Sequence, residues 1–242
     1  MLRTQTTMLE TGNNKNQSVL SIRLSADGFS FCAGGKQKNV RFTKPDRSFR
    51  RAMAVCMCEG DVWEEYNTIT VQIDDDMSSL IPASIFSDQE CNEILKFNYP
   101  TLDFSKYHIH SDYLEGFDIT NVYAVNNDLY NFIKENFPFA ETSHIFSRLV
   151  QESLRSSRAK DNRELWINIS GSTMYASVTK GGTLLLANRF PISTAGDVLY
   201  WVGSIYNSYN LSQQTVPLWI SGDTSYTDAL KERIAVCNTF SL

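Results

Sequence analysis

The stretch Leu165-Trp166-Ile167-Asn168-Ile169-Ser170-Gly171-Ser172-Thr173-Met174-Tyr175-Ala176-Ser177-Val178 decides the architecture. Leu165 to Ile169 places apolar residues at every second position, the period of a strand with a buried face. Ser170-Gly171-Ser172 is turn chemistry, and Met174 to Val178 reads as the returning strand. Gly181-Gly182 marks a second turn, Leu184 to Phe190 a third strand, and Pro191 its end. Thr194 to Tyr209 then reads as a helix.

The same order occurs upstream. Val19 to Leu24 alternates, with Leu20, Ile22 and Leu24 on one side and Ser21 and Arg23 on the other. Ser25-Ala26-Asp27-Gly28 is a turn, Phe29 to Ala33 a strand, Gly34-Gly35-Lys36 a turn, and Val40-Arg41-Phe42 a third strand. Pro45 breaks the pattern, and Ser48 to Glu59 reads as a helix. Leu20, Ile22, Leu24 and Ser25 align with Leu165, Ile167, Ile169 and Ser170, and Arg41-Phe42 with Arg189-Phe190. An internal duplication is the simplest explanation, and a repeat of this kind sets the whole fold.

Each copy continues beyond its first helix. Thr68 to Ile73 and Val216 to Ser221 read as strands that cross over to lie parallel to the first. The first copy holds more: an extended piece at Leu80-Ile81, a capping box at Ser87 to Glu90 opening a helix to Phe97, and strands at Tyr107–Tyr113 and Thr120–Val125. Asn126 is expected to cap a helix over 127–137, and 143–156 to be a helix with an apolar stripe. Gly222-Asp223 leads into a helix from about Ser225 to Ala235. The fold class is therefore α/β with mixed sheets. The expected division is a disordered tail over 1–17, a first half over 18–155 with an inserted region at about 74–118, and a second half over 156–242.

Composition narrows the function classes. The net charge of −5 provides no basic footprint for nucleic acid. No apolar run approaches the roughly 20 residues that span a bilayer, and the polar residues 1–17 do not make a secretory signal. The cytoplasm is the expected compartment. The five cysteines, an odd number, argue against a disulfide framework, and Cys56 and Cys58 lack the second pair that a zinc site needs.

Two copies of three hairpin-linked strands, a helix and a further strand resemble the actin-like superfamily of sugar kinases, actins and chaperone ATPases. The chain is similar in particular to an uncharacterised bacterial family, a domain of unknown function with an actin-like ATPase fold, built of two ribonuclease H-like subdomains. Pilus and secretion assembly proteins of this fold are a further resemblance. In members that bind ATP, the resemblance implies a nucleotide between the halves. The aspartate of an Ile-Asp-Leu-Gly pattern holds Mg²⁺ through water, and glycines let backbone N–H groups approach phosphate.

This sequence departs from that pattern. Its first hairpin reads Ile22-Arg23-Leu24-Ser25, with Arg23 for aspartate and Ser25 for glycine. The second reads Ile167-Asn168-Ile169-Ser170-Gly171, with Asn168 for aspartate and Ser170 for one glycine. The adenosine loop corresponds to Ile220-Ser221-Gly222-Asp223. Arginine cannot ligate Mg²⁺. The expectation is a degenerate nucleotide cleft of Arg23, Ser25, Asn168, Ser170, Gly171, Gly222 and Asp223. It has no catalytic residue, no metal ligand and no cofactor, and a protein serves as partner. The alternative is a divergent ATPase or kinase-like enzyme that binds ATP and takes its acid from Asp27, Asp197 or Asp223.

Other polar groups read as structural. His108 and His110 share a strand face and could bind a metal with Asp112, yet a lone His-x-His is more often a strand surface. His144 reads as structural at a helix start. Asp74-Asp75-Asp76 reads as a solvated loop, and Glu59, Asp61, Glu64 and Glu65 as a surface. Tyr200, Trp201, Tyr206 and Tyr209 are either core or an exposed aromatic patch for a partner.

Overall fold

The computed structural model describes residues 4–8, 19–25, 28–33, 36–41 and 66–242. The chain divides into two compact units, Met1–His144 and Ile145–Leu242.

In the first unit, Val19–Ser25 (β2), Gly28–Ala33 (β3) and Lys36–Arg41 (β4) form the antiparallel meander. Thr68–Asp74 (β5) pairs parallel with β2, and Glu141–His144 (β9) pairs parallel with β5. Thr4–Met8 (β1) pairs antiparallel with β4 and completes the order β1-β4-β3-β2-β5-β9. Leu20, Ile22 and Leu24 of β2 are fully buried against Val71 and Ile73 of β5. Over them lies the helix Asn127–Asn136 (α2), through Leu129, Phe132 and Ile133. Its N-cap forms as the sequence implies, with Asn126 accepting from the Asp128 amide.

The inserted region forms a second sheet of Ser78–Ile81 (β6), Tyr107–Tyr113 (β7) and Thr120–Asn126 (β8), in the order β6-β8-β7. The helix Cys91–Asn98 (α1) covers it through Leu95, which meets Val122 and Ala124. Tyr123 and Val125, on the other face of β8, belong to the main core. Alternate residues of one strand thus join two cores.

The second unit repeats the plan. Arg163–Ser170 (β10), Thr173–Lys180 (β11) and Thr183–Pro191 (β12) are hairpin-linked, and Leu218–Gly222 (β13) pairs parallel with β10. Cys237–Thr239 (β14) pairs parallel with β13, giving β12-β11-β10-β13-β14. This order matches β4-β3-β2-β5-β9, including the parallel and antiparallel pairings, so the order read twice from the sequence recurs in the two sheets. The helix Ala195–Ser208 (α4) covers one face of this sheet through Val198, Val202 and Ile205, aided by the short helix Thr227–Lys231 (α5). Thr194 and Asp197 make a full capping box on α4.

Several expectations change. Within the stretch expected as a tail, Thr4–Met8 is a strand, paired antiparallel along β4. The border falls between His144 and Ile145, so the helix Ile145–Ser157 (α3) lies with the second unit, not the first. Its small buried serines explain this: Ser153 Oγ meets Ser177 Oγ of β11 at 2.7 Å, and Ser157 Oγ accepts from the Gly182 amide at 3.0 Å. The predicted start of that helix at Ser143 is instead β9, held by the parallel register Gln72↔Ser143. Ser87 makes no side-chain cap, since a 3₁₀ turn at Asp88–Glu90 precedes α1 and the Glu90 amide binds the Ser87 carbonyl. The first predicted helix (48–59), Asp27, the acidic cluster at 59–65, Cys56 and Cys58 lie outside the described residues. Cys32, Cys91 and Cys237 are free thiols. Among the described residues, no helix is long and apolar enough to cross a membrane.

Candidate functional site

In each unit the candidate residues stand where the first strand ends beside its parallel neighbour. Carboxyl ends of parallel strands are where α/β sheets usually bind ligands.

In the first unit, pleating puts Ser21, Arg23 and Ser25 on the face of β2 opposite the core. The parallel register sets Ser25 beside Asp74. Arg23 Nε donates to Asp74 Oδ2 at 2.8 Å, with the two side chains 20% and 5% exposed. Asp74 is therefore not part of a solvated loop, as the sequence suggested; it is the buried end of β5, neutralised by a charge-assisted bond. Ser25 Oγ donates to the Gly28 carbonyl across its hairpin.

Beside this pair lies a part-buried polar chain. Asp75 Oδ1 accepts from the Met77 amide at 3.1 Å, and His144 Nε2 donates to the Asp75 carbonyl at 2.9 Å. A carbonyl only accepts, so the proton sits on Nε2. The His144 amide donates to Asp112 Oδ2 at 2.7 Å, and Tyr123 donates to Asp112 Oδ1 at 3.0 Å. Burial, with the Asp112 carboxylate next to it, drives the Tyr123 hydroxyl far above the ordinary phenol value. Asp112 thus ties β7, β8 and β9 together. His108 stacks on Tyr130 at 3.8 Å, and burial lowers the pKa of His110. Among the described residues, no three His, Cys, Asp or Glu side chains converge as a metal site.

Burial raises Asp75 from 3.8 to about 6, with further upward pushes from Asp76 and Asp74. The folded protein therefore holds a proton between those values that the unfolded chain has released. This contribution to stability is present in full below about pH 4 and is lost as pH rises through 6. Asp75→Asn keeps the acceptor for Met77 and removes the titration. We expect the variant to gain about 2 kcal/mol on the parent between pH 4 and pH 7. Urea unfolding of both proteins across that range checks it.

In the second unit, Asn168 and Ser221 are buried neighbours on β10 and β13, and Asn168 Nδ2 donates to Ser221 Oγ at 2.8 Å. Ser221 Oγ passes the bond to the Ile167 carbonyl at 3.3 Å. Gly222 stands opposite Ile169 at φ +79°, and a Cβ there would overlap the Ile169 carbonyl oxygen and come within 3.1 Å of Asn168 Nδ2. Ser170 and Gly171 form the hairpin end, with Gly171 at φ +53° in a two-residue turn. The Asp223 amide bonds the Ile169 carbonyl, and its carboxylate caps the following 3₁₀ turn through the Ser225 amide. Asp197 likewise accepts from the Ser193 and Thr194 amides, which hold its pKa below the ordinary carboxylate value.

The structure thus brings Asn168, Ser170, Gly171, Gly222 and Asp223 to one sheet end in the second unit, and Arg23 and Ser25 to the equivalent end of the first. The sequence reading missed Asp74 as Arg23's partner and Ser221 as Asn168's. Each pair is more than 50 residues apart in the chain, and only the parallel register joins them.

Repeat, sheet order and paired strand ends define an α/β protein of the actin-like ATPase fold. The chain belongs to the family described as "Protein of unknown function (DUF3822)", whose model matches residues 8–235. A Bacteroides thetaiotaomicron protein with an actin-like ATPase fold and unknown function shares 20% identity at a TM-score of 0.73, covering 93% of this chain and 91% of that one. A PilM–PilN type IV pilus biogenesis complex shares 13% identity at 0.49, covering 92% and 88%. An Aquifex aeolicus Ppx/GppA family member shares 9% at 0.43, covering 89% and 69%. No curated protein matches the chain.

Proposed function

We propose that this chain is a non-catalytic, cytoplasmic interaction module built on the actin-like fold, with the magnesium–nucleotide chemistry lost. The observation that carries this reading is the Arg23–Asp74 ion pair. It puts a cation where the resemblance calls for a metal-holding carboxylate, and it occupies the nearest buried acid as well. In the second half, Asn168 offers only a neutral amide, already bonded to Ser221.

A divergent ATPase or kinase would need another acid to hold Mg²⁺ and balance phosphate charge. Asp197 and Asp223 both serve as caps. The reading is tested by phosphate release from ATP with Mg²⁺ and by calorimetric titration of the same mixture. The expected result is no phosphate above the protein-free control and no magnesium-dependent heat. Micromolar, magnesium-dependent binding with phosphate release overturns it.

A further inference from the structure

Helix α4 carries Gly203 in its interior. Gly is the poorest helix former after Pro, so a mid-helix Gly ordinarily marks a close approach. Here the opposite holds: a Cβ on Gly203 would meet nothing within 4 Å. The fold does not require the glycine, and the space beside it is open.

That space is a groove of about 330 Å³ between α4 and the chain around α5, lined by Leu199, Tyr200, Leu230, Arg233 and Ile234 as well as Gly203. Such a volume lies at the lower end of ligand-holding sites, roughly 300–1,000 Å³. Of the four aromatic residues noted around this helix, three are held by hydrogen bonds. Tyr206 donates to the Val216 carbonyl, Tyr209 to the Leu185 carbonyl, and Trp201 Nε1 to the Pro191 carbonyl. Tyr200 is 66% exposed at the rim, edge-on to Trp201 at 4.9 Å, and among the described residues its hydroxyl makes no hydrogen bond. Arg233 is exposed, and among the described residues its guanidinium has no ion-pair or hydrogen-bond partner.

We propose that this groove docks a segment of a partner protein carrying a bulky apolar side chain next to a carboxylate. The apolar side chain fills the space above Gly203, Tyr200 closes over it, and Arg233 receives the carboxylate as a bidentate pair. Tyr and Arg are the residues that most often carry binding energy at protein interfaces. An unpaired cation at the edge of an apolar groove selects an acidic partner by charge complementarity. This inference rests on the reading of the chain as an interaction module and names the surface that does the work.

The test is a phage-displayed random dodecapeptide library selected on the full chain, followed by fluorescence anisotropy of the selected peptides. The expected consensus pairs Leu, Phe or Trp with a nearby Asp or Glu. Gly203→Phe, which fills the groove, and Arg233→Glu each weaken binding at least tenfold. A peptide with its acid changed to Lys regains binding to Arg233→Glu. Gly203→Ala melts no lower than the parent, which separates loss of the groove from loss of the fold. Failure to select any peptide, a consensus without an acid, or binding indifferent to Gly203→Phe overturns the proposal. These results are independent of magnesium-dependent ATP turnover, which alone would overturn the broader reading.

Discussion

Gly222→Ala loses about 4 kcal/mol or more of folding stability. Two costs combine. The backbone at Gly222 is left-handed, φ +79°, which costs a residue with a side chain about 1–2 kcal/mol. The larger cost is steric. The new Cβ overlaps the Ile169 carbonyl oxygen, a backbone atom that cannot rotate aside. Relief requires β10 and β13 to separate at the register pair Ile169↔Gly222, where Asn168 and Ser221 are buried and bonded. Losses above about 4 kcal/mol are exceptional for single substitutions and come from mechanisms of this kind. Gly181→Ala is the control: it is also left-handed, at φ +57°, but its Cβ would lie 4.0 Å from the nearest atom. It should lose only about 1 kcal/mol. Chemical denaturation of the two variants beside the parent measures the difference.

Arg23→Met costs about 3 kcal/mol. Removing one partner of a buried ion pair strands the other charge, at roughly 3–5 kcal/mol, and the 20% exposure of the Arg23 side chain places this pair at the lower end. The loss belongs to the buried Asp74 carboxylate deprived of its Arg23 bond and not to the attraction itself. Arg23→Met combined with Asp74→Asn should therefore recover at least half of it. Arg23→Asp, which writes the family's aspartate back into this position, should be worse than Arg23→Met. It sets a second carboxylate against the buried Asp74. A double-mutant cycle in urea measures the coupling between Arg23 and Asp74.

Much of the fold was legible because its signals are local. Period-two alternation at Leu20, Ile22 and Leu24, and again at Leu165, Ile167 and Ile169, needs only a strand with one buried face. The hairpin at Gly181-Gly182 needs residues that accept positive φ, and both have it. Asn126 and Thr194 carry their capping oxygens beside the amides they serve. What escaped is decided across the chain. Glu141–His144 and Cys237–Thr239 are too short to show a period and are strands because a sheet edge pairs with them. Helix α3 bears an apolar stripe that would suit either unit; Ser153 and Ser157, which let it approach β11 and its hairpin, assign it to the second.

The candidate site shows the same division. The sequence exposed Arg23 and Asn168 as departures from an aspartate pattern, since identity at an aligned position needs no structure. It could not show that Arg23 is bound to Asp74, because the parallel crossover alone brings β5 beside β2. Three consecutive aspartates read as a solvated loop, yet pleating and strand termination treat each differently. Asp74 is paired and Asp75 is half-buried with its pKa raised to about 6, while Asp76 is exposed.

The proposed loss of the divalent-ion site is tested most directly by electron paramagnetic resonance of Mn²⁺ with ATP, titrated with the full chain. Mn²⁺ is read as the free or nucleotide-bound ion without reference to turnover. The predicted result is a signal that stays that of the protein-free Mn²⁺–ATP mixture at every protein concentration. A signal that changes saturably with protein, and reverts on adding excess Mg²⁺, would contradict it.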